Sequence, residues 1–292
     1  MFAGTNGTPS SSVAADFARN VGGPQRAGVG ENFVKFALGK TTVVGLRDGY
    51  VDMPPTRLRK PDGQPFRGDL PPSIPLVDGK FRLSVNAFLI IDGESHILID
   101  TGAADSWEPT LGRLLRSMQE AGVAPSLVDT VAITHTHEDH VNGLVAADGS
   151  NAFPKLKRLF IPSQAIPLFD KIDRLARFRN VRVAIGEGFK IGPSSTAVSA
   201  LGHELGHMAY EVKGGGSTLL VWGDTVHVPA AQFERPELTW EFDADQDKAR
   251  ASRLRLLRRS NKPGHFIAGA HLDFPGVGYV TRQGDGYRFT PV

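Results

Sequence analysis

The chain has no cysteine among its 292 residues. Disulfides, thiolate nucleophiles and zinc sites built on thiolates are therefore excluded, and the absence is compatible with both reducing and oxidising compartments. No apolar run approaches the ~20 residues that a membrane-spanning helix needs, so no membrane is predicted as a partner. The formal net charge is only +2, which gives no reason to predict nucleic acid as a partner either. The basic run from Arg253 to Arg259 carries leucines at helical spacing and indicates an amphipathic helix.

Residues 1–30 are predicted to form a flexible arm. The stretch from Met1 to Gln25 is rich in glycine, serine, alanine and asparagine and contains no apolar run. It does not have the pattern of a secretory signal, so a cytoplasmic location is expected. A second irregular stretch, residues 53–75, contains seven prolines and no periodic pattern. Such a segment is usually functional or mobile rather than part of the core.

The remaining sequence alternates between strand-like and helix-like patterns. Strands are predicted at residues 33–38, 41–46, 81–91, 96–99, 128–133, 158–161, 181–185, 196–201, 219–222 and 265–268. Helices are predicted at residues 107–121 and 245–260, where apolar residues recur at helical spacing. The blocks fall into two halves without a dinucleotide-binding fingerprint. This order suits an α/β protein with an αββα sandwich, in which two β-sheets lie back to back with helices outside.

The segment Thr134-His135-Thr136-His137-Glu138-Asp139-His140 contains three of the nine histidines in the chain. Neutral imidazole and carboxylate are ligands that zinc, iron, manganese and cobalt prefer. Directly after the strand 128–133, His135 and His137 point the same way because side chains repeat every two residues. If the chain then turns into a helix, Asp139 and His140 face another side. The segment therefore predicts a site for two metal ions.

The spacing His-x-His-x-Asp-His resembles the signature of the metallo-β-lactamase superfamily. Other segments resemble that family's motifs in the same order, namely Asp100-Thr101-Gly102, Gly202-His203-Glu204-Leu205-Gly206-His207, Gly223-Asp224 and the run from Ala268 to Gly276. The last of these, with Gly286-Tyr287-Arg288-Phe289, is most similar to the branch that contains methyl parathion hydrolase and related lactonases. The resemblance covers residues 31–292 and implies one domain over that range. In that branch, a segment like residues 53–75 covers the active site.

The resemblance also implies a set of metal ligands. By the family's pattern, one ion is held by His135, His137 and His207. The other is held by Asp139, His140 and His271, and Asp224 bridges the two. It implies two divalent ions as cofactors, zinc first, with cobalt, manganese and iron also suited to the ligands.

Two further residues are expected to assist this ligand set. His203 is expected to support the site, and Asp100 is expected to orient a ligand histidine. The segment from His203 to His207 also fits the helical zinc motif His-Glu-x-x-His, but Gly202 and Gly206 disfavour a helix there.

The predicted activity is hydrolysis of an activated ester-like bond. Two bound ions lower the pKa of water from ~15.7 towards ~7, which supplies a bridging hydroxide as the nucleophile. The first hypothesis is a lactonase acting on N-acyl-homoserine lactones or similar esters, and the alternative is a phosphotriesterase of the methyl parathion hydrolase kind. A non-catalytic relative or an oxygen-reducing di-iron protein is a third hypothesis, but no residues remain for a flavin domain. The resemblance is also compatible with a homodimer.

Candidate catalytic and substrate-binding residues complete the prediction. Asp139 and Asp224 act in catalysis through the ions. His227, three residues beyond Asp224, is either a hydrogen-bond donor or general acid near neutral pH, or a residue of the pocket wall. Four aromatic residues are candidates for an apolar substrate pocket, each with an alternative place in the core: Phe88, Trp107, Phe153 and Phe274.

Overall fold

The computed structural model describes residues 22–292, so residues 1–21 of the predicted arm lie outside the described part. The strands in chain order are β1 (Gln25–Val29), β2 (Phe33–Leu38), β3 (Thr41–Met53), β4 (Leu58–Arg59), β5 (Phe81–Asp92), β6 (Ser95–Ile99), β7 (Thr130–Ala132), β8 (Arg158–Pro162), β9 (Arg182–Ile185), β10 (Ser195–Ser199), β11 (Met208–Gly214), β12 (Ser217–Val221), β13 (Thr239–Trp240), β14 (His265–Ala268), β15 (Val277–Gln283) and β16 (Gly286–Pro291). The α-helices are α1 (Leu114–Glu120), α2 (Glu138–Val141), α3 (Ile166–Phe169), α4 (Pro229–Gln232) and α5 (Gln246–Ser260). Short 3₁₀ turns lie at Pro55–Arg57, Pro125–Leu127, Asn142–Leu144, Ser163–Ala165, Asp173–Phe178 and Gly223–Thr225. None of the helices in the described range is long and apolar enough to cross a bilayer.

Two large β-sheets form the centre of the fold. The first has eight strands in the order β1-β2-β3-β5-β6-β7-β8-β9, antiparallel from β1 to β6 and parallel from β6 to β9. The second has six strands in the order β10-β11-β12-β14-β15-β16, of which β12 and β14 are parallel. The short strands β4 and β13 form a separate antiparallel pair.

The sheets pack face to face because successive side chains of a strand point to opposite faces. In β6, Ile97 and Ile99 belong to the hydrophobic cluster between the sheets, whereas Leu98 belongs to the cluster on the outer face. In β12, Leu219 and Val221 likewise face the other sheet. Because of this alternation, each sheet has apolar side chains on both faces. The face that points away from the other sheet must be covered by other elements.

Helices supply that covering layer on both sides. Leu114 and Met118 of α1 pack into the outer cluster of the first sheet, and Leu256 and Leu257 of α5 pack into that of the second. Burying a leucine side chain stabilises the fold by ~1.5–3 kcal/mol. The predicted αββα sandwich is therefore confirmed.

The N-terminal boundary of the domain differs from the prediction. Gln25–Val29 form β1 and pair antiparallel with β2, so the predicted arm extends too far, at least from residue 25 onwards. The short strand is largely exposed at the edge of the sheet, which explains why it has no apolar signal in the sequence.

The predicted helix 107–121 is shorter than expected. Regular helix begins only at Leu114, because Gly112 adopts a φ of +85° and Pro109 lies just before it. The main-chain N–H of Leu114 donates instead to the carboxylate of Asp48 (3.1 Å). The residues before α1 are therefore a loop, and that loop reaches the functional site.

The proline-rich stretch 53–75 is partly built into the fold. Its strand β4 pairs with β13, and Leu58, Phe66 and Ile74 are buried in a cluster with Trp240. This cluster lies beside the ends of the central strands and forms a wall there.

Candidate metal centre

The histidine-rich segment follows strand β7 of the first sheet and is fixed by a buried carboxylate. The main-chain N–H of Thr134 donates to Asp100 Oδ1 (2.7 Å), and its hydroxyl donates to Asp100 Oδ2 (2.9 Å). The chain remains extended through His137 and enters α2 at Glu138. As predicted, this change from extended chain to helix sends the two halves of the segment in different directions.

One group of donors gathers around His137. Its Nδ1 lies 3.0 Å from His135 Nε2 and 3.0 Å from His203 Nε2. Asp224 Oδ2 lies 3.2 Å from His203 Nε2 and 3.7 Å from His135 Nε2. One donor atom from each of these four residues lies within 4.8 Å of all the others, which is the arrangement that a single divalent ion requires.

A second group consists of Asp139, His140 and His271. Asp139 Oδ2 lies 3.5 Å from His140 Nε2 and 3.6 Å from His271 Nε2. Asp224 also reaches this group, because its Oδ1 lies 3.1 Å from His140 Nε2 and its Oδ2 lies 3.0 Å from His271 Nε2. A single carboxylate thus lies between two groups of donors.

Two donor atoms of this centre are buried without a hydrogen bond. Within residues 22–292, His140 Nε2 and Asp224 Oδ1 are inaccessible to solvent, and their 3.1 Å contact with each other does not have the geometry of a hydrogen bond. A buried polar atom without a partner is costly and calls for an explanation such as a bound ion. The residues therefore fit two divalent metal ions.

The second ring nitrogen of each donor imidazole is anchored, with the exception of His137. This outer contact fixes the tautomer and the ring orientation of a metal-binding histidine. The contacts are His135 Nδ1 with Thr134 Oγ1 (3.0 Å), His140 Nδ1 with Asp100 Oδ2 (2.8 Å), His203 Nδ1 with Asp243 Oδ1 (2.9 Å) and His271 Nδ1 with the Ser84 carbonyl oxygen (2.8 Å). Asp100 therefore has the orienting position that the sequence predicted for it.

His207 does not occupy the predicted place in the first group. Its Nδ1 donates to the Ala200 carbonyl oxygen (2.9 Å), and its Nε2 accepts from the Asp224 main-chain N–H (3.3 Å). Both ring nitrogens are used by the backbone, so neither is free for an ion. His203, expected only to support the site, belongs to this donor group instead.

The turn between β10 and β11 explains this exchange. Gly202 and Gly206 have φ values of +124° and +83°, which no residue of an α-helix adopts. The helical zinc motif is therefore absent from this segment. Glu204 accepts hydrogen bonds from the N–H and hydroxyl of Thr136 (2.7 and 2.8 Å) and lies 3.7 Å from His137 Nε2.

Burial and charge separate the protonation states of the centre. Burial lowers the pKa of His137 to about 3, which keeps its ring neutral. Burial would raise the pKa of Asp224, but the surrounding imidazoles hold it well below its usual range. At neutral pH the centre therefore offers a carboxylate anion between the two groups.

A pocket of about 310 Å³ opens over the centre. Besides donors of both groups and His227, it is lined by Val51, Met53, Leu83, Trp107, Glu138, Trp240 and Phe242. Trp107, one of the four aromatic candidates, is among these residues, with 38% of its surface exposed. The other apolar wall residues were missed because β3, β5 and β13 bring them together from distant parts of the chain.

Three of the four aromatic predictions are not supported. Phe88 and Phe153 are only 2% and 1% exposed and belong to the hydrophobic core. Phe274 packs against the cluster between the sheets, and the Arg47 guanidinium lies 4.3 Å from its ring centre. None of the three lines the pocket.

His227 lies in the pocket wall beside the bridging carboxylate. Its Nε2 is 3.2 Å from Asp224 Oδ2, and its ring stacks between Trp240 (centroids 5.0 Å apart) and His271 (5.2 Å). Burial lowers the pKa of His227 to about 4, so the ring is neutral near pH 7.

The αββα fold and the paired donor groups define a metal-dependent hydrolase. The family model for the Metallo-beta-lactamase superfamily matches residues 81–271, a range that includes every donor residue of both groups. The chain belongs to this superfamily.

Several solved structures share the fold. Hydrolase AbOPH of the β-lactamase superfamily is 27% identical, with a TM-score of 0.79 over 91% of this chain and 99% of that one. AidC, a dizinc quorum-quenching lactonase solved with a product described as N-hexnoyl-L-homoserine, is 21% identical, with a TM-score of 0.80 over 89% and 97%. A probable metal-dependent hydrolase from Staphylococcus aureus is 16% identical, with a TM-score of 0.71 over 88% and 98%. No curated protein sequence matched the chain.

Proposed function

We propose that this hydrolase opens neutral lactones and related esters, with N-acyl-homoserine lactones as the first candidates. The observation that carries the proposal is the pocket itself, which joins two donor groups at its base to largely apolar walls. No lysine or arginine is among the described residues that line it. A substrate with an additional anionic group would lose hydration there without gaining a cationic side chain. A neutral ester with an apolar chain has no additional charge to desolvate, so this cost does not arise.

The two donor groups would hold one ion each, with Asp224 shared between them. Imidazole and carboxylate suit zinc first, and cobalt, manganese and iron as well. When bound, such ions would supply an activated water as nucleophile and polarise the bond to be broken. The protein's own contribution is to fix the orientation of the donor rings and to exclude bulk water with the walls of the pocket.

The apolar walls would hold the acyl chain. Met53 and Leu83 lie on the side of the pocket formed by the first sheet, and Trp107 reaches over from the loop before α1. His227 would donate a hydrogen bond that positions the substrate oxygen or the leaving group. The acyl-homoserine product bound to AidC supports this choice of substrate.

The test is a comparison of kcat/KM for N-hexanoyl-homoserine lactone and for methyl parathion on one zinc-loaded preparation. The proposal predicts a lactone value above ~10⁴ M⁻¹s⁻¹, which is within the usual range of enzymes, and a far lower triester value. Asp224→Ala serves as the control because it removes the carboxylate shared by the two groups. The reverse ranking would make the phosphotriesterase the better assignment. Values near the Asp224→Ala background for both substrates would remove the substrate assignment.

The role of His227 is tested by His227→Phe, which keeps a ring against Trp240. We expect kcat to fall about 10² to 10⁴-fold while metal content stays unchanged, because a single positioned proton donor contributes about that factor. Loss of an ion from this variant would make His227 a ligand instead, and unchanged kcat would leave it a wall residue.

A further inference from the structure

Asp243 is a buried carboxylate that contacts the donor ring of His203. It lies between β13 and α5 and is 5% exposed. Its Oδ1 lies 2.9 Å from His203 Nδ1, and its Oδ2 accepts from the main-chain N–H of Trp240 (2.9 Å). Each oxygen thus serves a different donor.

Arg253 of helix α5 contacts Asp243 and the backbone around it. Its guanidinium is 1% exposed, and Nη2 lies 3.7 Å from Asp243 Oδ2. Its Nε donates to the Thr225 carbonyl oxygen (2.7 Å), while Nη1 donates to the carbonyl oxygens of Pro236 (3.1 Å) and Leu238. One side chain therefore ties α5 to the loop after β12 and to the segment that leads into β13.

We propose that Asp243 and Arg253 are positioning residues that make His203 a metal ligand. A neutral imidazole carries one N–H, and an acceptor at Nδ1 keeps the hydrogen there. The lone pair of Nε2 then faces the first donor group, where it would be available to bind an ion. The inference rests on the proposed metal centre. It says that the Asp243–Arg253 pair determines how tightly the first of the two metal positions binds its ion.

The same geometry explains why this position needs a carboxylate. Two donors, the Nδ1–H of His203 and the N–H of Trp240, approach separate oxygens of Asp243. An asparagine amide has a single oxygen and would present its NH₂ group to one of them. With the NH₂ towards His203, the imidazole hydrogen would move to Nε2 and block the ion. With the NH₂ towards Trp240, two donors would oppose each other at a buried site.

A second ion pair on the same helix provides a matched control. Arg259 of α5 pairs with the buried Glu211 of β11, on the strand that follows the turn with His203. Neither residue belongs to a donor group or lines the pocket. Glu211→Gln therefore reproduces the loss of a buried carboxylate next to an α5 arginine without touching His203.

The experiment compares the wild type, Asp243→Asn, Arg253→Lys and Glu211→Gln. Each protein is stripped with a chelator and titrated with zinc against a competing chelator, and thermal unfolding of each metal-free protein is recorded separately. We expect Asp243→Asn to weaken one of two zinc positions about 10 to 100-fold, the usual effect of losing an outer contact to a metal-binding histidine. Arg253→Lys should weaken the same position less, and Glu211→Gln should change neither.

The outcomes separate this inference from the proposed function. If the wild type binds two ions and Asp243→Asn binds both with unchanged affinity, the positioning role is wrong while the metal centre stands. A wild type that binds no ion would overturn the centre itself. If Asp243→Asn and Glu211→Gln weaken zinc binding equally, the effect is general destabilisation and the inference also fails.

Discussion

At the scale of single residues, His203 and His207 differ in what their ring nitrogens contact. The Nε2 of His203 faces His137 and Asp224, whereas both nitrogens of His207 are hydrogen-bonded to the backbone. We therefore expect His203→Ala to reduce zinc from about two ions per chain to about one. His207→Gln should keep both ions but lose ~1–3 kcal/mol of unfolding free energy, because it leaves buried backbone groups without partners.

Elemental analysis and urea unfolding on the two variants check this prediction. The two substitutions remove the same kind of side chain from the same turn, so each is the control for the other. Loss of zinc from the His207 variant with retention in the His203 variant would return His207 to the ligand set.

The buried ring of His207 also predicts an acid-sensitive fold. Burial, and then the charge of His203, lower the pKa of His207 to about 3. In an unfolded chain, the pKa of a histidine is about 6.5. Between these two values the unfolded state binds a proton that the folded state does not, so the unfolding free energy falls as the pH falls. The slope is up to ~1.4 kcal/mol per pH unit from this residue alone.

Urea unfolding of the chelator-treated wild type and of His207→Gln at pH 7, 6 and 5 measures this slope. The wild type should lose stability more steeply than the variant over this range. Parallel curves would show that His207 is protonated in the folded protein as readily as in the unfolded one.

The residues of the centre were predictable only as far as spacing defines them. His135, His137, Asp139 and His140 lie in one continuous segment, so their grouping follows from the change from extended chain to helix. The choice between His203 and His207 depends on how the glycine turn directs each ring, which spacing does not encode. The side chain of Phe88 presents the same difficulty. Whether it points towards the core or the pocket depends on the strand register, which the sequence alone does not give.

At the scale of elements, the loop before α1 carries Trp107 to the pocket and is fixed at both ends by one carboxylate. Asp48 accepts from the N–H groups of Ala103 (3.0 Å) and Gly112 (3.2 Å). The loop between them brings the indole over the donor groups. We expect Trp107→Ala to lower kcat/KM for a long-chain lactone about tenfold, mainly through KM, because ~1.4 kcal/mol of apolar contact is lost.

Steady-state kinetics with butanoyl and decanoyl homoserine lactones test this role. The short substrate should lose less than the long one, since less of its chain reaches the indole. Leu127→Ala removes another exposed apolar side chain that is not among the pocket residues, and it should change neither value. An equal loss for both substrates would indicate that Trp107 supports the loop rather than the chain.

The elements themselves were predictable where the signal is local. Strands β2 and β14 have the expected bounds, and α5 begins directly after Asp245, whose carboxylate accepts from the Lys248 N–H (3.0 Å). The pair β4–β13 joins segments about 180 residues apart, and each strand has only two residues. No local pattern marks such a pairing, so the wall that it forms around the pocket was not predictable.

At the scale of the whole molecule, the donors come from both sheets. The segment from His135 to His140 follows β7 of the first sheet, while Asp224 and His271 follow β12 and β14 of the second. His203 lies in the turn that joins β10 and β11, also in the second sheet. Each donor group draws on both sheets, so bound ions would connect the two halves of the sandwich.

This arrangement predicts a large effect of metal on global stability. Ions that bind the folded protein alone stabilise it by ~4 kcal/mol when the free metal is about 1,000 times Kd. For a domain of this size that corresponds to a rise in Tm of about 10 °C. Differential scanning calorimetry of the chelator-treated and zinc-loaded protein measures the shift. Asp224→Ala should remove most of it because Asp224 contacts both groups, whereas Glu211→Gln should keep it. A wild type with the same Tm in both states would mean that the two sheets are not joined through these residues.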